Sequence, residues 1–147
     1  MDDDGKWSRA CLRVFGDTLE PGEIGSVLGL KATHTHLKGE LVSPRHPTVS
    51  RESGRLLESP LSKHAHSSDH LEWLLSAVEP KCDVIRELSK RYKVDFFCGF
   101  ASGNGQCGFI PDGETLTRLA GLGVPLALDL YSPDPSGIGA EKPLTIQ

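Results

Sequence analysis

Apolar and polar positions change period along the chain, and each change marks an element. In "RACLRVFG" (9–16) Leu12 and Val14 share one parity while Arg13 and Phe15 share the other, the two-residue period of a strand. "DTLEPGEIGSVLGL" then shifts to helical spacing. Ile24, Val27 and Leu28 recur behind Pro21, and Gly29 supplies the stop, so a short helix is predicted. Regularity falls away between 31 and 68, where "KGELV" and "GRLLESPL" are the strand candidates. Pro44, Pro47 and Pro60 confine them to edges or ends. The longest stripe runs over 70–92, where Leu71, Leu74, Leu75, Val78, Cys82, Ile85 and Leu88 keep spacings of three and four; Pro80 predicts a kink in this helix. Asp69 and Glu72 fit a capping box at its start.

"KVDFFCGF" (93–100) reads as a strand, "ASGNGQ" as a hairpin loop and "CGFI" as the returning strand. Asp112 is placed to cap a third helix, "GETLTRLAGLG", expected to bury Leu116, Leu119 and Ala120 and to stop at Gly121 or Gly123. "PLALDLY" (125–131) closes the pattern as a strand with Leu126, Leu128 and Leu130 inward. The order βαββαββαβ predicts an α+β domain, a mostly antiparallel sheet with helices packed on one face. "LRVFGDTLEPGEIGSVLGL" and "CGFIPDGETLTRLAGLGV" echo one another, which raises a duplicated ferredoxin-like unit as the candidate topology. Residues 1–8 read as an acidic arm, 9–131 as the single domain and 132–147 as a Pro/Gly-rich tail.

Charge and composition narrow the classes. A chain of 147 residues is the size of one ordinary domain. Its 16 Lys and Arg against 20 Asp and Glu give a net charge of −4, without the basic footprint of a nucleic-acid binder. No stretch approaches the ~20 apolar residues of a membrane span, and "MDDDGKW" lacks the basic and apolar regions of a signal peptide. Cys11, Cys82, Cys98 and Cys107 show no CxxC spacing, which favours free thiols and a cytoplasmic protein.

Six blocks carry a resemblance: "LRVFGDTLEP", "IGSVLGL", "KGE" (38–40), "HLEWLL" (70–75), "VDFFCG" (94–99) and "LALDLY" (126–131). In that order, from Leu12 to Tyr131, the chain resembles a bacterial family catalogued as domain of unknown function 4279. The resemblance implies a small single-domain protein and hands over no catalytic residue. Members of that family commonly carry a Trp two or three residues after the Gly near 54, where this chain has Leu56 and Leu57.

Two sets of residues are candidates for chemistry. His34 with His36 and His64 with His66 form two His-x-His arms that, if brought together, would supply the imidazoles of a zinc site. The capping box beside His70 accounts for the second arm without metal, so neither a metal nor a cofactor is assigned. The other set is a strand face. Arg13 and Phe15, Asp95 and Phe97, Asp129 and Tyr131 each lie two apart, with the apolar residues at the opposite parity. The expected use of this solvent-facing surface is binding of a protein partner, in its sharpest form a toxin neutralised by an immunity-type protein. The alternative is a small-ligand or hydrolytic site on Arg13, Asp95 and Asp129, with the two carboxylates as an acid/base pair.

Overall fold

The computed structural model describes residues 5–102 and 109–131. Seven strands and four helices appear there: β1 (Trp7–Gly16), α1 (Pro21–Leu28), β2 (His34–His36), β3 (Leu41–Ser43), β4 (His46–Val49), β5 (Ser53–Glu58), α2 (Ser67–Val78), α3 (Cys82–Arg91), β6 (Lys93–Ala101), α4 (Gly113–Leu122) and β7 (Leu126–Tyr131). Five strands make one sheet in the order β2-β5-β1-β6-β7, and β3 with β4 makes a separate two-stranded ribbon. Every pairing in the large sheet is antiparallel except β6 with β7, which run parallel across the connection that carries α4. This is the α+β architecture that the pattern predicts.

The main core lies between the sheet and the helices. Ala10, Leu12 and Val14 of β1 and Val94, Phe96 and Cys98 of β6 meet Ile24 and Leu28 of α1, Leu71, Leu74, Leu75 and Val78 of α2, Ile85 and Leu88 of α3, and Leu119 and Leu122 of α4. Burying each of the larger side chains stabilises the fold by about 1.5–3 kcal/mol. Arg55, on the helix side of β5 opposite Val14, is buried among them. Its guanidinium donates to the carbonyl oxygens of Pro21 and Leu30, which lie at the two ends of α1. Gly25 gives that guanidinium room, since a Cβ there would lie 3.0 Å from Nη1. Gly29, at φ 67°, ends α1 in the left-handed conformation. Asp112 caps α4 by accepting from the Thr115 N–H at 2.8 Å, and Arg118 ties α4 to Glu72 and Glu79.

Several local expectations are corrected. The 70–92 stripe is two helices, because Pro80 has no N–H to continue the ladder and the chain takes a 3₁₀ turn over Glu79–Lys81. Helix α2 begins at Ser67 with His66 as N-cap and no side-chain cap, so Asp69 is a first-turn residue rather than the cap. Helix α4 buries Leu119 and Leu122, whereas Leu116 and Ala120 point outward. In β7, Leu128 and Leu130 are 51% and 56% exposed, not inward. Phe109 and Ile110 are outside any strand, so the second copy of the echo lacks its strand there; Cys107 and the hairpin tip lie outside the described residues. So do the tail from 132 and the first four residues of the arm, while β1 starts at Trp7, two residues earlier than predicted.

His70 links packing to pH. It is 1% exposed, its Nδ1 lies 2.8 Å from Ser59 Oγ, and its Nε2 is buried. Burial holds its pKa below 6.5, and the same cause, reinforced by His34, lowers that of His36. The unfolded chain therefore takes up protons first as pH falls, so the stabilisation present above 6.5 is lost progressively below it. Urea unfolding is expected to show lower stability at pH 5.5 than at pH 7.5, with a smaller difference in His70→Gln. A slope unchanged in that variant would contradict this assignment.

Candidate functional site

The face of the sheet away from the helices carries the predicted residues, and the strand register sets them in rows. Read from β2 to β7, one row is His36, Gly54, Phe15 and Lys93, and the next is His34, Leu56, Arg13 and Asp95. Glu58, Cys11, Phe97 and Ala127 follow, then Arg9, Gly99 and Asp129, and finally Trp7, Ala101 and Tyr131. All six residues singled out in the sequence therefore share one face. Only part of it faces solvent: Arg13, Phe15 and Phe97 are each 4–5% exposed, and the two rings form a second apolar cluster with Cys11 and Leu56.

At the centre is a bidentate ion pair. Arg13 Nε donates to Asp95 Oδ1 at 2.7 Å and Nη2 to Oδ2 at 2.6 Å. The guanidinium carbon lies 4.5 Å from the Phe97 ring centroid and 5.5 Å from that of Phe15, so both rings contribute cation–π attraction. Its Nη1 is buried without a hydrogen-bond partner among the described residues. Beside it Cys11 is 1% exposed, and burial pushes its thiol up to about 12 despite the opposing field of Arg13. Cys98, on the helix side, is likewise raised to about 12 by burial. Neither thiol is a nucleophile near neutral pH.

The remaining charges of the face are also engaged. Arg9 Nε lies 3.2 Å from Glu58 Oε1, and Lys93 Nζ lies 2.6 Å from Glu52 Oε1. Asp129 is exposed on β7 and hydrogen-bonds to half-buried Tyr131, whose pKa burial and this carboxylate both raise. Asp129 pairs with Gly99, four residues along β6 from Asp95, which sets the two carboxylates about 13 Å apart along the strand. That spacing leaves them unable to share a proton or a reacting atom. Asp95 is held by Arg13, so the geometry does not bring together the acid/base pair raised as the alternative.

The histidine arms are likewise separated. His34 and His36 sit on β2 with ring centroids 5.8 Å apart, and His36 packs at 6.0 Å from Phe15 over Gly54. His64 and His66 lie in the loop before α2, which is fastened to Ser8 at the start of β1 through the Lys63 and Ala65 carbonyls. No group of three His, Cys, Asp or Glu with the geometry to hold a metal occurs among the described residues. Sequence reasoning did not place His36, Gly54 or Trp7 on this face. Gly54 gives no signal of its own, yet a Cβ there would lie 2.4 Å from His36 Cε1 and 2.8 Å from Phe15 Cδ1. Trp7, 4.9 Å from the Tyr131 ring, fell just outside the predicted strand.

A five-stranded sheet with helices on one face and a polar–aromatic cluster on the other defines an α+β domain. The chain belongs to the family described as Domain of unknown function (DUF4279), whose pattern matches residues 6–133. No curated protein and no solved structure matches it.

Two outcomes follow from this packing. Gly54→Ala forces His36 and Phe15 apart and is expected to cost about 1–3 kcal/mol, read from urea unfolding. An unchanged midpoint would mean that the face is loosely packed. With Cys82 and Cys107 replaced by Ser, the native protein should leave Cys11 and Cys98 unreactive toward Ellman's reagent at pH 8 until denaturant is added. Rapid labelling of either would contradict the raised thiol pKa values.

Proposed function

We propose that the chain is a non-enzymatic protein-binding domain that acts in the cytoplasm of a bacterium as an immunity-type protein, neutralising a toxin by covering it. The observation that carries this reading is β7. It ends the sheet among the described residues, with Leu128 and Leu130 about half exposed on one side and Asp129 and Tyr131 on the other. An edge strand with exposed leucines invites pairing with another chain, and its aromatic and acidic neighbours suit a basic protein partner. The net charge of −4 would speed such an encounter. The hydrolytic or small-ligand alternative on Arg13, Asp95 and Asp129 has less support, because Asp95 is held by Arg13 and Asp129 stands apart.

The test is co-expression with the product of the adjacent gene, the expected position of a toxin. A stoichiometric complex that Leu128→Lys/Leu130→Lys weakens at least about a hundredfold, as two central anchors would, is the expected result. Absence of a complex, or one indifferent to both substitutions, would remove this reading.

A further inference from the structure

The second histidine arm has a different setting from the first. A cavity of about 630 Å³ opens where the start of β1, the end of β6 and the loop before α2 meet. That volume lies within the ~300–1,000 Å³ of small-molecule sites. In a chain with more acids than bases, the titratable side chains lining it among the described residues are all basic: Lys6, Lys63, His64 and His66. The rest of the lining includes three aromatic rings, those of Trp7, Phe100 and Phe109.

The site is also held in shape. The Ser8 N–H donates to the Lys63 carbonyl at 2.8 Å and Ser8 Oγ to the Ala65 carbonyl at 2.6 Å, which fastens the histidine loop to β1. Within the loop, the His64 N–H donates to Ser62 Oγ at 3.1 Å and the Ala65 N–H to the Ser62 carbonyl at 2.9 Å. The Trp7 ring is braced by Tyr131 at 4.9 Å and the Phe109 ring by Phe100 at 6.4 Å. Both the loop backbone that carries the basic residues and the ring surfaces are therefore in place before a ligand arrives, which lowers the ordering cost of binding.

We propose that this cavity binds a small organic phosphate bearing an aromatic ring, of the nucleoside monophosphate class. Lys63, His64 and His66 supply the countercharge for a phosphomonoester, and the Ser67 and Ser68 hydroxyls that line the same wall supply further donors. The aromatic walls supply stacking for the ring, worth about 1–3 kcal/mol per base in nucleic-acid binders. The site adjoins β7, since Phe100 is the register partner of Leu130, but Lys63, His64 and His66 stand on the loop before α2, so substitutions there test it separately from the protein-binding reading.

Titration calorimetry of the full chain with AMP tests the proposal, with adenosine and inorganic phosphate as comparisons. AMP is expected to bind saturably and more tightly than either, with affinity falling as salt rises. Lys63→Gln/His66→Gln is expected to weaken AMP at least about tenfold, the effect of losing charge-assisted hydrogen bonds. Both residues are exposed, so the melting temperature should not move. Trp7→Leu should weaken AMP but leave inorganic phosphate unaffected, which separates loss of stacking from loss of charge. No saturable AMP binding at about 1 mM, or binding indifferent to the double substitution, would overturn the proposal.

Discussion

Arg13 stands opposite Asp95 because β1 and β6 pair in one register, and much of the outer face depends on that pair. A guanidinium buried between Phe15 and Phe97 is tolerable only with a carboxylate against it, since breaking such a pair by removing one partner typically costs about 3–5 kcal/mol. A one-residue slip would turn Arg13 toward the helices and Leu12 outward. The pair therefore specifies register as well as packing. It also makes β1 a strand with two cores, its even positions under the helices and its odd positions in the cluster of Cys11, Phe15, Leu56 and Phe97.

That arrangement changes what the face is available for. A charged and aromatic surface reads as a site when each side chain is taken alone. Once Arg13 is matched with Asp95, Arg9 with Glu58 and Lys93 with Glu52, its polar groups serve one another. What stays exposed lies at the rim. Leu128 and Leu130 mark the β7 edge, and the basic hollow beside Trp7 and Lys63 marks one end of the sheet. Under the two proposals these surfaces take different partners, a chain that covers the edge and a small anion that fits the hollow.

The parity of β1 and β6 was legible because both strands are buried on one face by helices, so Leu12, Val14, Val94 and Phe96 alternate cleanly with the rest. Asp112 and Gly29 were legible because caps and stops are local chemistry. Leu128 and Leu130 misled for a physical reason. Alternation records which residues share a face, not whether anything covers that face, and α4 leaves the helix side of β7 open. Pro80 was located correctly and its effect underestimated, since the backbone restarted a helix at Cys82 instead of bending one. The partnership of Gly54 with His36 lies between strands, in a contact that no local pattern encodes.

The most direct test is a double-mutant cycle on Arg13→Met and Asp95→Asn, with stability read from urea unfolding of the wild type, both single variants and the double variant. If the pair organises the outer face, Asp95→Asn alone should be the costlier substitution, because it leaves a buried guanidinium uncompensated. The coupling energy should reach about 2 kcal/mol, in the upper part of the range for residues in contact. Single costs that add to within about 0.5 kcal/mol would contradict the account, and would return Arg13 and Asp95 to the list of groups free to act on something else.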